Sequence, residues 1–190
     1  MKLLALSLLG LATLFAQTYE IDSAHSAANF SVKHMMVTNV SGKFGNLKGK
    51  VVVDEKNLAQ SMVEATIDIN TVNTNEAKRD GHLKSPDFFD AEKYPAMTFK
   101  STRVYKQGNV TKVDGNLTMH GVTKPVTLTL TEFSPEVKHP NGGMVRGAIA
   151  TTTINRKDFG LTYNRALDTG GVMIGDEVKV TLEIEMARKS

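Results

Sequence analysis

The sequence predicts an all-β protein, an eight-stranded antiparallel β-barrel with a short helical segment covering one end. Three observations predict it. Apolar and polar residues alternate in run after run, the pattern of strands with one face inward and one in water. Turn chemistry recurs between the runs, as consecutive hairpins require. One charge-rich stretch lacks the alternation and reads as helix and loop.

A leader is expected over 1–16. Met1 and Lys2 give a positive start, Leu3 to Phe15 is almost wholly apolar, and Ala16 is small. That is the layout of a secretory signal peptide. The run is shorter than the roughly 20 apolar residues that cross a bilayer. Cleavage after Ala16 is expected, leaving one domain over 17–190 in the periplasm.

The first strand is expected over 18–36, broken near Ser26. Ala28, Phe30, Val32, His34 and Met36 share one face, and Asn29, Ser31, Lys33 and Met35 the other. A second strand spans 42–55. A third, over 60–70, alternates Val63, Ala65, Ile67 and Ile69 with Glu64, Thr66 and Asp68. Strands over 94–106 and 110–120 flank Gln107-Gly108-Asn109, and the next, over 124–134, follows His120-Gly121. Asn141-Gly142, which tolerates the positive φ of tight hairpins, precedes a strand over 143–155. The last, over 176–188, alternates Val178, Val180, Leu182, Ile184 and Met186 with Lys179, Thr181, Glu183 and Glu185. Closing such a sheet removes its exposed edges.

Two segments stand outside this pattern. Asn75 to Asp80 reads as a short helix. Ser85-Pro86-Asp87 then offers an N-cap with Pro at the first helical position. Phe88 and Phe89 follow at once, and at least one should plug into the sheet or the barrel end. Residues 155–175, with Gly160, Gly170, Gly171 and Gly175, form a long loop carrying a helical turn. Loops of that length are often functional.

Chemistry narrows the function. There is no Cys, which excludes a thiol nucleophile and a disulfide framework. The net charge of +3 is spread over interspersed Lys, Arg, Asp and Glu, so no block of charge suggests a nucleic-acid partner. No later run is apolar enough for stable membrane insertion by a helix. A G-x-S-x-G elbow, a Gly-rich phosphate loop, H-E-x-x-H and the EF-hand pattern are all missing. No catalytic residue, metal ligand or cofactor is therefore assigned. The five His, at 25, 34, 82, 120 and 139, form no i,i+4 pair. His34, His82 and His120 could meet only through folding, and hydrogen-bonded structural roles are the stronger reading. Arg79, Lys84 and Arg156 are the cations suited to a phosphate or carboxylate headgroup. The competing reading makes Arg79-Asp80-Gly81-His82 a local ion-pair network.

An eight-stranded barrel is either filled by side chains or holds one small ligand. The chain has no Trp, and aromatic residues make up 6%, so large rings do not fill the core. Eight of the nine Met, all but Met1, are spread over most of the strands, and Met adapts to irregular apolar shapes. A cavity for a long apolar molecule fits this composition; a solid core with Met as gap-filler is the alternative.

The residues then suggest a family. Ile21-Asp22-Ser23-Ala24-His25-Ser26, Phe30-Ser31-Val32-Lys33-His34 and Gly42-Lys43-Phe44 open the match. Arg79-Asp80-Gly81-His82-Leu83-Lys84-Ser85-Pro86-Asp87-Phe88-Phe89-Asp90 is its strongest block. Tyr94-Pro95, Phe99-Lys100-Ser101, the run from Gly115 to Val126, Asn155-Arg156-Lys157-Asp158-Phe159-Gly160-Leu161 and Gly175-Asp176-Glu177-Val178 complete it. In this order and spacing the chain resembles the YceI-like family of bacterial periplasmic proteins.

The resemblance implies a lipocalin-like barrel whose lumen takes an isoprenoid or fatty-acyl lipid, with the headgroup near the mouth. It implies ligand contacts from Phe30, Val32, His34 and Met36 on the first strand, and from Phe44. The motif block would add Arg79, Asp80, His82, Leu83, Phe88 and Phe89. Tyr94, Phe99, His120, Arg156, Phe159 and Leu161 would complete the set. It implies binding, transport or storage and not catalysis. A polyisoprenoid such as an isoprenoid quinone or a polyprenyl phosphate is the leading ligand class. An enzyme or stress-response protein acting on lipid-like substrates through a His-containing site is the alternative. A homodimer through a barrel edge or the helical cover is compatible with the sequence.

Overall fold

The computed structural model describes residues 16–168 and 170–189; the expected leader lies almost wholly outside them. The chain forms β1 (Gln17–Ile21), β2 (Ala27–His34), β3 (Thr38–Phe44), β4 (Lys48–Val53) and β5 (Met62–Asp68), then the helix α1 (Ala77–Lys84). There follow β6 (Ala96–Gln107), β7 (Val110–Met119), β8 (Val122–Phe133), the two-residue β9 (Val137–Lys138), β10 (Met144–Asn155) and β11 (Ile174–Arg188). Short 3-10 turns lie at Leu58–Gln60, Ile69–Thr71 and Arg156–Phe159.

Every strand pairing is antiparallel, and the sheet closes on β11. One edge of β11 pairs with β10, from Val145 opposite Ala187 to Asn155 opposite Glu177. The other edge pairs first with β2 and then with β1. The remaining neighbours run β1-β4-β5-β6-β7-β8-β10. Since β1 and β2 share one place in the ring, as do β3 and β4, the closed barrel has eight places.

The two halves of the first place are separated by a local clamp. Asp22 accepts the Ala24 N–H at 2.8 Å, a turn that carries the chain out of the ladder. Ser26 Oγ donates to the Glu185 carbonyl at 3.2 Å and accepts the Glu185 N–H at 3.0 Å. Beyond it β2 rejoins β11. The second expected strand likewise splits: β3 begins at Thr38, and 45–47 bend before β4.

The helical segment differs from expectation. The helix runs from Ala77 to Lys84, and Glu76 caps it, its carboxylate accepting from the N–H groups of Lys78 and Arg79 at 3.1 and 2.7 Å. Ser85 ends this helix where a new start was expected: its N–H and hydroxyl both donate to the His82 carbonyl, and 86–89 are turns. Ser serves either end of a helix through the same local hydrogen bonding, which is why sequence alone placed a start here.

Side chains pack most densely towards the helical end. Phe44, Leu47, Ile69, Val72, Phe88, Met97, Met119, Phe159 and Leu161 form one buried cluster there. Gly42 lets the segment before α1 dock on β3, since a Cβ at 42 would lie 2.7 Å from Thr74 Cγ2. At the opposite end Tyr19, Val53 and Met186 form a small second cluster.

Candidate functional site: the barrel lumen

A cavity of about 790 Å³ lies inside the barrel, within the range of small-molecule sites. Its wall comes from the inward positions of the strands: Val63, Ala65 and Ile67 of β5, Val126, Leu128 and Leu130 of β8, and Val178, Val180, Leu182, Ile184 and Met186 of β11. This is the parity that the alternation predicts. Phe30, Val32, Val180 and Leu182 are only half-buried, because part of each faces the cavity.

Two bulges reset the parity. The pairing of β6 with β7 shifts between Ser101 and Arg103, so Val104 and Lys106 line the wall beyond Met97 and Phe99. The pairing of β10 with β8 shifts between Ile149 and Ala150, which brings Phe133 into the wall. Bulges of this kind bend strands and re-aim side chains.

The end away from α1 has a polar floor. Tyr19 is fully buried, and its hydroxyl donates to Glu136 Oε1 at 2.7 Å. Burial first, then that hydrogen bond, pushes the Tyr19 phenol up from its ordinary value. Arg146 is 8% exposed and stacks 3.8 Å from the centre of the Phe133 ring. Its guanidinium donates to the Ser134 carbonyl and to Glu55, both at 2.7 Å. Glu55 and Lys106 are the charged groups lining the cavity near this end.

The helical end is the one that the family resemblance makes the mouth. Phe30 and Phe44 lie 5.5 Å apart, and Phe89 meets Phe44 edge-on at 5.5 Å. His82 stands edge-on to both Phe88 and Tyr163 at 4.9 Å, with Nε2 2.9 Å from Asp87 Oδ2. Arg79 reaches the cavity from α1. Its Nε donates to Thr74 Oγ1 at 2.7 Å and its Nη2 to the Thr74 carbonyl at 2.9 Å. Asp80 accepts from the Thr74 N–H and hydroxyl at 2.8 and 2.6 Å. The two residues grip Thr74 from either side and fix α1 over the mouth. Among the described residues no carboxylate pairs with Arg79.

Arg156 is different. It is 4% exposed, and its guanidinium donates to the carbonyls of Gly175, Leu161, Tyr163 and Ile174 and to Asp176. Burial lowers its pKa from the ordinary guanidinium value, and Asp176 opposes that shift. These donors hold the loop over 156–175, which leaves Arg156 without the free fork that a headgroup partner requires.

The structure brings Phe30, Val32, His34, Phe44, Phe99 and Leu161 onto the cavity wall, with Arg79, His82, Leu83, Phe88, Phe89 and Arg156 at or near its mouth. The other five expected residues lie off the wall. Met36 stands on an exposed hairpin tip. Asp80 is spent on Thr74. Tyr94 packs 4.9 Å from the His120 ring, beside Gly121, where a Cβ would lie 2.6 Å from Tyr94 Cε1. His120 Nδ1 is 3.1 Å from the Phe159 carbonyl, and Phe159 is buried in the cluster beneath it. His34, His82 and His120 therefore do not form one site. Lys84 does not line the cavity. Of the Met, 97, 119, 173 and 186 do. Tyr19, Thr74, Arg146 and Tyr163 were not singled out from the sequence, because their roles depend on partners distant in the chain or on turns without a signature.

A closed antiparallel barrel around an apolar lumen, with polar groups gathered at its ends, is a lipocalin-like binding protein for hydrophobic ligands. The chain belongs to the YceI-like family: a YceI-like domain matches residues 19–186. It is 39% identical over 170 residues to a UPF0312 protein of Staphylococcus aureus (strain MSSA476), covering 89% of this chain and 96% of that one. The Campylobacter jejuni YCEI protein structure is similar at 32% identity with a TM-score of 0.69, covering 83% and 90% of the two chains. That of Burkholderia cenocepacia BcnA is similar at 25% identity with a TM-score of 0.73, covering 87% and 98%.

Proposed function

We propose that the lumen holds the chain of a polyisoprenoid or a fatty-acyl lipid, and that the protein carries or stores this lipid in the periplasm. The observation behind this reading is the apolar wall of the 790 Å³ cavity, with its charged groups confined to the ends. Burial supplies the affinity, at about 0.8 kcal/mol for each CH₂ removed from water. Phe30, Phe44, Phe88 and Phe89 grip the chain near the mouth, and Arg79 and His82 face its headgroup. A polyisoprenoid binding domain from Saccharophagus degradans shares the fold at 20% identity with a TM-score of 0.65.

Native mass spectrometry of protein purified without detergent, followed by organic extraction, tests the proposal. A bound species with isoprenoid or fatty-acyl fragmentation is expected. A protein that carries no lipid and takes up neither class when both are supplied would overturn it.

A further inference from the structure

The hairpin joining β2 to β3 ends in His34-Met35-Met36-Val37, closed by the Val37 N–H donating to the His34 carbonyl at 3.1 Å. Met35 and Met36 have φ of 49° and 62°. Met35 and Met36 are the two central residues of a β-turn inside the three-residue loop 35–37; positive φ at both favours Asn-Gly, and other residues are strained there. The tip spends its strained positions on large apolar side chains, and it holds them in water: Met35, Met36 and Val37 are 46%, 55% and 79% exposed. Strain retained at an exposed apolar site points to function.

The tip adjoins the mouth. Lys33, His34, Val40, Met173 and Ile174 all line the cavity, and the Met35 N–H donates to the Met173 carbonyl at 2.7 Å. Exposed Lys33 and Arg165 flank it; the acids nearby are Asp168 in the adjoining loop and Glu177 in the β11 bulge, while Asp176 is paired with Arg156 and Lys157. Among the described residues the other exposed large apolar ones, Val110, Phe133 and Val137, lie on separate segments at the far end.

We infer that this tip docks the barrel mouth onto the surface of a lipid bilayer. Met35, Met36 and Val37 enter the interface, and Lys33 and Arg165 face anionic headgroups. The inference rests on the lipid-carrying function: a long chain passing through water exposes all its apolar surface, and a mouth seated on the membrane spares it that exposure. Amphipathic insertion of a few apolar side chains with basic neighbours gives reversible surface binding without spanning.

The double variant Met35→Asn/Met36→Gly tests this, because Asn-Gly suits the turn and removes only the apolar side chains. Sedimentation is measured with vesicles of phosphatidylcholine and phosphatidylglycerol at about 3:1. The wild type is expected to bind, the double variant and Val37→Asp to bind at least tenfold more weakly, and Val137→Asp at the far end to bind as the wild type does. Vesicle binding that is absent in the wild type, or equal in wild type and double variant, would overturn the inference. So would concentration-dependent self-association that the double variant abolishes, since the tip would then cover a second copy. Lipid content by mass spectrometry on the same samples keeps the two ideas apart: docking without any carried lipid refutes the carrier function alone, and carried lipid without docking refutes the tip alone.

Discussion

Arg156 Nε donates to the Gly175 carbonyl at 2.9 Å, tying the first residue after β10 to the second residue of β11 across the whole intervening loop. The same guanidinium holds Leu161 and Tyr163, both of which line the cavity. One buried cation thus shapes one side of the mouth. Arg156→Ala leaves these carbonyls without their donor and should cost at least about 1–3 kcal/mol, read by urea denaturation. Arg156→Lys should recover little, because an ammonium cannot serve so many divergent acceptors.

The lumen can be filled without cutting into the wall. Ala148 is half-buried and lines the cavity from β10, so Phe in its place takes up lumen volume. Ala148→Phe is expected to keep the melting temperature within a few degrees while reducing bound lipid by tenfold or more, measured by extraction. Unchanged lipid content would place the chain elsewhere.

Phe88 and Phe89 should separate in their effects. Phe88 is buried, and Phe89 is half-buried against Phe44. Phe88→Ala should destabilise the fold by about 3–5 kcal/mol. Phe89→Asp should spare the fold more and reduce lipid retention, so thermal melting and lipid content should rank the two variants in opposite order.

The clamp between β1 and β2 carries a pH dependence. Hydrogen bonding to Asp22, then the charges of Asp22 and Glu185, raises the His25 pKa. Its contribution is full below the ordinary histidine value of about 6.5 and is lost as pH rises through the raised folded value. His25 chiefly lowers the Asp22 pKa through their hydrogen bond; that contribution is present above the ordinary carboxylate value and is lost as pH falls through the lowered one. The clamp is therefore strongest between about pH 4 and 6.5. His25→Gln should flatten the melting temperature against pH above that window.

At the floor, Tyr19→Phe removes a hydroxyl bonded to Glu136. A hydrogen bond to a charged acceptor contributes about 1.5–3 kcal/mol, and calorimetry should show a loss of that order. The phenol's raised value also means that its stabilising effect is present below the ordinary tyrosine value of about 10 and is lost as pH rises through the folded value; the variant should lack that alkaline loss.

Strand parity was the most legible part of the architecture. The inward faces of β2, β5, β8 and β11 can be read from alternation alone, since one face meets an apolar cavity and the other water. Alternation fails where the backbone adds a residue: nothing in the run from 94 to 106 marks the bulge at Ser101 that turns Lys106 to the wall. Motif residues were legible as a group but not by role. Asp80, Tyr94, His120 and Phe159 sit among cavity residues in sequence, yet they serve hydrogen bonds and packing behind the wall. Arg79 and Arg156 are both Arg near the mouth, and only their surroundings distinguish a cation facing the cavity from one consumed by five acceptors. Ser85 shows the same limit, a capping residue whose direction is set by what folds around it.

The inward turn of Lys106 has a further consequence. With Glu55 and the buried Tyr19 and Arg146, it gives the apolar bore a terminus as well as an entrance. A bore with polar limits at both ends has a definite length, so under the proposed function the barrel would act as a gauge: a tail that stopped short of Lys106 would lie in apolar surroundings, and each carbon beyond that point would meet charge.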